Sequence, residues 1–163
     1  MVEASGDPLI PAITTVPVSP DPDSVHAYIE RQHQRARTGQ GYSFAIADAA
    51  TDRGLGQIGL WPLRDGRASI GYWVAPSARR RGIASSALVV ISAWGLLLPG
   101  LARLELYVEP WNEGSWRAAE KAGYQREGLL RSWQQVGDQR RDMYMYSLLA
   151  PVQGPPAPPT PSP

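Results

Sequence analysis

The segment that most restricts the fold runs from Gly71 to Leu88. It is a short apolar strand (Gly71-Tyr72-Trp73-Val74), a stop at Ala75-Pro76, three arginines (Arg79, Arg80, Arg81), and then Gly82 opening a long apolar helix. A strand that feeds such a helix belongs to an α/β protein, because the helix needs a sheet to bury it. The same order sets the free N–H groups of a helix start, and the positive end of its dipole, beside guanidinium groups, where phosphate binds. Neither common phosphate motif is present: there is no Gly-x-x-x-x-Gly-Lys-Ser/Thr and no Gly-x-Gly-x-x-Gly. The pattern is Arg79-x-x-Gly82-x-Ala84. On these residues alone the alternative is a solvated arginine loop, with Gly82 easing entry into a core helix.

A second block follows from Tyr107 to Arg131. A strand ends at Tyr107-Val108-Glu109, Asn112 opens a short helix, Gly123 closes it, and another strand begins at Glu127-Gly128. The two blocks together resemble the GNAT acyltransferases, which move an acyl group from coenzyme A to an amine. The spacing Asn112-x-x-Ser115, then Glu120-Lys121-x-Gly123-Tyr124, then Glu127-Gly128-x-x-Arg131 is similar to the branch of RimJ- and RimL-type ribosomal-protein alanine N-acetyltransferases. The resemblance covers residues 21–149. It implies an α/β (α+β) fold with a single mixed central sheet of six to seven strands flanked by helices. The family's first strand and helix would be shortened or missing, since only residues 1–20 precede the first helical segment.

Residues 1–20 read as an irregular, proline-rich lead-in; Leu9–Val18 offers a short edge strand, Pro8, Pro11 and Pro17 arguing against a central one. Asp21 is an N-cap with Pro22 at the first helical position, predicting a helix to Arg37 with Val25, Tyr28 and Ile29 on its apolar face. Strands are predicted at Tyr42–Ala49, Leu55–Leu63 and Ala68–Ala75, the last two joined by the hairpin signal Asp65-Gly66. The helix from Gly82 to Leu98 is apolar on nearly every face, with Ile83, Ala87, Val90, Ile91 and Trp94 as its stripe. A strand at Leu104–Val108, a helix at Glu113–Ala122 and strands at Arg126–Val136 and Arg141–Leu149 complete the domain, read as 21–149. Residues 150–163 read as a disordered or polyproline tail.

Acyl transfer from a thioester to an amine needs the donor held, its carbonyl polarised, the amine delivered neutral and the leaving thiolate stabilised. The resemblance implies that pantetheine lies between two splayed parallel strands, here 68–75 and 103–109, pairing with backbone groups of Trp73, Val74 and Ala75. It places the pyrophosphate on the N–H groups of Arg81, Gly82, Ile83, Ala84 and Ser85, with Arg79 and Arg81 adding charge. It also has Asn112 touching the cofactor; on the residues alone, Asn112 is an N-cap. Many family members protonate the thiolate with a tyrosine four residues before the helix-closing glycine, but that position is Ala119 here. Ser115, one turn earlier, resembles the serine of the RimJ/RimL branch, and its hydroxyl would donate to the thiolate. The alternative is a helix serine bonding Asn112 or water. An α-amine has a pKa of about 8, so a modest base suffices. Glu109 at the end of the splayed strand is the best-placed carboxylate; Glu105 lies deeper on the same side, and Glu127 reads as structural.

Composition removes other chemistries. Cysteine is absent, which excludes disulfides, thiolate metal sites and a cysteine nucleophile, and favours direct transfer in a ternary complex. His26 and His33 share one helical stretch and offer no metal constellation, so no metal is expected. A net charge of +1 gives no bulk electrostatic case for nucleic acid or membrane. No basic region followed by an apolar core stands at the start, so a cytoplasmic protein is expected, as monomer or homodimer. The function implied by the resemblance is acetyl-CoA-dependent acetylation of a primary amine, with a protein N-terminal amine as acceptor. The alternatives are a small-molecule amine, such as an antibiotic or metabolite, and a non-catalytic acyl-CoA-binding domain. The absence of an acidic run argues against a groove for polycationic aminoglycosides.

Overall fold

The structure of the protein is a computed structural model that describes residues 1–151. The tail expected at 150–163 lies, beyond Pro151, outside the described residues. Five helices, α1 (Val2–Ser5), α2 (Ile10–Ile13), α3 (Pro22–Arg37), α4 (Ile83–Gly95) and α5 (Glu113–Lys121), accompany six strands. The strands are β1 (Tyr42–Ala47), β2 (Gly54–Pro62), β3 (Arg67–Val74), β4 (Arg103–Val108), β5 (Gln125–Val136) and β6 (Gln139–Leu149). They form one sheet in the order β1-β2-β3-β4-β6-β5. Every neighbouring pair is antiparallel except β3 and β4, which α4 connects as parallel strands.

Local chemistry explains most boundaries. Asp21 caps α3 by accepting from the N–H groups of Asp23 and Ser24. Asp65 and Gly66 both have positive φ, 58° and 67°, as the tight β2–β3 hairpin requires. On one face of the sheet Leu60, Ile70, Leu104, Leu106 and Tyr146 pack against Leu88 and Ile91 of α4 and Ala118 and Ala119 of α5. On the other face α3 lies across Gln57 and Trp73, whose side chains alternate away from that core. Trp73 Nε1 donates to Gln57 Oε1 at 3.1 Å, and the Tyr28 hydroxyl donates to the same oxygen.

Three expectations need correction. The buried stripe of α4 is Ser85, Leu88, Ile91, Ser92 and Gly95, not the run through Ile83 and Val90; Val90 is 70% exposed. A helix apolar all round does not reveal its phase by hydrophobicity, and here the small residues mark the close approach, with Ser92 Oγ 2.7 Å from the Tyr124 hydroxyl. On α3 only Tyr28 is buried, while Ile29 is exposed. The lead-in forms no edge strand. It folds as the single turns α1 and α2, with Pro11 in the first turn of α2, where a missing N–H costs nothing. Ala4, Ile10 and Val16 bury against Tyr28.

The parallel pair sets up the site. β3 and β4 are in register at Arg67–Arg103, Ala68–Leu104 and Ser69–Glu105. Residues 70–74 and 106–108 then run on without pairing to each other. The sheet opens into a V at this point.

Candidate active site

At the tip of β3 the backbone alternates between two neighbours. Ala75 N–H donates to Leu55 O at 2.8 Å, so Ala75 and Trp73 are turned to β2, while Tyr72 and Val74 are turned into the V. Of the three residues expected to meet pantetheine, Val74 is the one whose N–H faces the opening; Ala75 has already given its N–H to β2. The Val74 carbonyl accepts from Arg79 Nε at 3.1 Å.

Beyond Ala75 a 3₁₀ turn (Pro76–Ala78) leads into the arginines. Arg80 and Gly82 take the left-handed conformation, at φ 63° and 77°, and Ser86 N–H makes the first helical bond to Gly82 O at 3.0 Å. The Ser85 hydroxyl donates to the same carbonyl at 2.8 Å. None of the backbone N–H groups from Arg80 to Ser85 has a partner among the described residues. Six donors are therefore free at the positive end of α4, which offers an anion cradle. A Cβ on Gly82 would meet nothing closer than Ser85 Oγ at 3.9 Å, so the space over it is open.

The three arginines divide their work differently from the expectation. Arg79 pairs with Asp7 Oδ2 at 2.8 Å and with Val74 O, so its charge is balanced by the lead-in. Arg81 lines a separate depression beside Phe44 and Asp48, where its charge helps hold the Asp48 carboxyl below its ordinary value, after hydrogen bonds from Thr51 and Ala50. Arg80 lines the main cavity together with Arg117 and Lys121 of α5.

That cavity has a volume of about 840 Å³ and passes through the V. Ala84, Asn112 and Ser115 line it on the α4–α5 side, and Gln32, Arg35, Trp61 and Glu109 on the α3 side. Asn112 is the N-cap of α5, its Oδ1 accepting from Ser115 N–H at 3.3 Å; its amide nitrogen has no partner among the described residues. The capping role is thus in place, with a donor left over toward the cavity. Ser115 Oγ does not bond Asn112. It lies 2.8 Å from the hydroxyl of Tyr72, which reaches across the V from β3 and also lies 3.2 Å from Ser115 O. Burial pushes the Tyr72 phenol up, against a smaller opposing effect of the Ser115 bond, so it stays protonated.

Glu109 sits in the cavity wall, its side chain 10% exposed and 3.7 Å from Arg141 Nε. Glu105 is fully buried and outside the lining. It accepts from Tyr107 Oη at 2.6 Å and Arg103 Nε at 2.8 Å, with Arg67 Nη1 at 3.4 Å. Burial alone would raise its carboxyl, but Tyr107, Arg103 and Arg67 hold it below the ordinary value. It is spent on structure. Glu127 is likewise bound to Arg103 and to Ser147 Oγ, the latter at 2.6 Å. His26 and His33 are exposed on α3.

Sequence reading missed Tyr72, Arg80 and Asp7. Tyr72 was findable: two residues before Val74 on one strand, it shares Val74's face. Asp7 gave no local signal, because its partner is Arg79.

The comparisons with known proteins agree with this geometry. Residues 3–125 match the family model described as "Acetyltransferase (GNAT) domain". An N-acetyltransferase named p20 from Bacillus licheniformis, itself uncharacterized, is 30% identical over 145 residues, which cover 88% of this chain and 82% of that protein. Mycobacterium smegmatis RimJ, solved in complex with CoA-disulfide, superposes with a TM-score of 0.71 at 26% identity, covering 89% of this chain and 66% of RimJ. A GNAT-family acetyltransferase from Bacillus anthracis shares the fold at a TM-score of 0.75 and 21% identity, over 91% of this chain and 86% of that one. The opened parallel pair, the anion cradle and these matches have one meaning: the chain belongs to the GNAT family of N-acetyltransferases.

Proposed function

We propose that the protein transfers an acetyl group from acetyl-CoA directly to the N-terminal amine of a protein. The observation that carries the donor half is the cradle of unpaired N–H groups from Arg80 to Ser85 at the mouth of the V. Those groups, with Arg80, Arg117 and Lys121 around them, fit a pyrophosphate and further phosphate. Bound there, acetyl-CoA supplies the activated acyl thioester.

The chain's own residues then divide the remaining tasks. Val74 N–H offers a hydrogen bond inside the V to the donor arm or its carbonyl. Ser115 Oγ offers a hydroxyl to the leaving sulfur. Glu109 receives the proton of the incoming amine, directly or through water.

The acceptor half rests on two supports. The spacing of Asn112, Ser115 and Glu127 is that of the RimJ/RimL branch, and RimJ itself is similar in fold and sequence. On the α3 side, away from the anion cradle, the charged residues of the cavity lining among the described residues are one carboxylate, Glu109, and one cation, Arg35. That side offers no surplus of carboxylates to a polycationic amine, whereas one peptide amine needs only one base.

Thiol release from acetyl-CoA, measured with peptides bearing free or blocked N-termini and with spermidine, tests the assignment. Turnover on free N-termini alone is the expected result. Turnover confined to small amines would reassign the acceptor, and binding without turnover would make this a coenzyme A-binding domain.

Ser115→Ala should lower kcat by about tenfold to a hundredfold, the range of a single transition-state donor, and leave acetyl-CoA affinity nearly intact. Asn112→Ala should do the reverse, weakening binding while costing about 1 kcal/mol of stability as a lost N-cap. Single-turnover rates beside calorimetric affinities separate the two. Wild-type single-turnover rates in Ser115→Ala would remove the serine from the mechanism.

A further inference from the structure

We infer that Tyr72 is a positioning residue that aims the hydroxyl of Ser115, its O–H donating to Ser115 Oγ so that the serine's own hydrogen is left for the leaving sulfur. This rests on the acetyltransferase reading above and adds to it a residue from the opposite arm of the V.

The geometry is specific. A serine hydroxyl has one hydrogen and a free rotor, so a neighbour decides where that hydrogen goes. In the first turn of a helix the competing acceptors are backbone carbonyls and the cap side chain. Ser115 makes neither bond: Asn112 Oδ1 is taken by Ser115 N–H, and Ser115 Oγ has the Tyr72 hydroxyl as its partner at 2.8 Å. The Tyr72 hydroxyl is closer to Ser115 Oγ than to Ser115 O, at 2.8 Å against 3.2 Å. A phenol O–H is also a stronger donor than an aliphatic one, so phenol to serine is the favoured direction.

Tyr72 stands on β3 in the stretch where β3 has left β4, and Ser115 lies in the first turn of α5, the helix that follows β4 in the chain. Their bond spans the gap, and both residues line the cavity. At Ala119, where the family resemblance puts a tyrosine in many members, this chain has a buried methyl group. A phenol still reaches the site, from the strand and through the serine.

No proton has to cross this pair. In the transfer step the amine nitrogen forms the bond to the acyl carbon, the carbon–sulfur bond breaks, Glu109 receives the proton lost by the amine, directly or through water, and the released thiolate is protonated from solvent. Tyr72 and Ser115 keep their own hydrogens and act only through hydrogen bonds to the charge that develops on sulfur.

The test uses the full chain with Tyr72→Phe, Ser115→Ala and the double variant. Tyr72→Phe should lower kcat about tenfold, the worth of one neutral hydrogen bond, with KM for acetyl-CoA unchanged. In the Ser115→Ala background the same change should cost nothing further. A binding arm needs no turnover: the parent should hold coenzyme A more tightly than desulfo-coenzyme A, and each single variant should erase that preference. An unchanged or raised kcat in Tyr72→Phe would overturn the proposal, since it would mean that the serine hydrogen had pointed at the phenol. Multiplying effects in the double variant would overturn it as well. If the parent shows no turnover on any acceptor, the acetyltransferase reading fails while the thiol preference still decides the role of Tyr72. Melting temperature checks that Tyr72→Phe remains folded.

Discussion

Replacing Gly82 by aspartate leaves a folded protein that no longer holds coenzyme A. Two features of the loop make the outcome one-sided. Gly82 has φ 77°, a conformation that aspartate tolerates better than most residues, and a Cβ there meets nothing nearer than 3.9 Å. The variant also places a carboxylate at the N-cap of α4, where it satisfies helix N–H groups and favours the fold. Those are the groups the pyrophosphate needs, and the remaining negative charge repels it. Losing charge-assisted hydrogen bonds at about 1.5–3 kcal/mol each amounts to at least a hundredfold in affinity on the usual scale of about 1.4 kcal/mol per tenfold. Gly82→Asn keeps the shape and removes the charge, so it should lose only about tenfold, one such step. Calorimetry on both variants, with thermal melts alongside, is the measurement. A folded Gly82→Asp protein with parental affinity would falsify the cradle.

The largest effect on stability is expected at Glu105. Its carboxylate is fully buried at the last paired position of β3 and β4, joined to Arg103 of its own strand and Arg67 across the pair. Breaking a buried ion pair from one side costs about 3–5 kcal/mol. Here the lower end applies: Arg67 can turn to solvent, its side chain being 40% exposed, and Arg103 keeps Glu127. Glu105→Ala should therefore lose about 3 kcal/mol, or roughly 6–12 °C in melting temperature for a chain of this size. Glu105→Gln, which preserves the shape, should lose less. The same cluster predicts acid sensitivity. Glu105 is held below its ordinary 4.5, and Glu127 is pulled down to about 2, chiefly by Arg103 and then by Ser147. Carboxyls depressed in the folded state stabilise it above their unfolded pKa, so that contribution is present above about pH 4.5 and fades as pH falls toward 2. Acid titrations of the parent and Glu105→Gln, followed by circular dichroism, should show a shallower loss in the variant. Identical acid profiles would remove Glu105 from the account.

What the chain disclosed in advance followed the range of the interactions. Caps, hairpin turns and the loop glycine are local, and Asp21, Asp65-Gly66 and Gly82 were each legible within a few residues. The two strands that part were indicated by the family resemblance and not by alternation, which says nothing of where neighbouring strands diverge. The phase of α4 was not legible, because a helix apolar on all sides is settled by which residues are small enough to approach the sheet, and those are Ser85, Ser92 and Gly95. Which of three consecutive arginines faces a ligand also depends on partners elsewhere. Asp7 takes one and the depression beside Asp48 takes another. Tyr72 went unnoticed because β3 was read for its backbone, and a strand offers chemistry through its side chains as well.

The ties from the lead-in to the arginine loop bear on how the molecule is assembled in time. Glu3 accepts from Ser77 N–H and Oγ across a separation of 74 residues, and Asp7 holds Arg79 in the same way. Closing so long a loop is entropically slow compared with forming a hairpin or a helix. These two ties are therefore expected to close after the hairpins of the sheet, and coenzyme A added during refolding should leave the earlier phases unchanged.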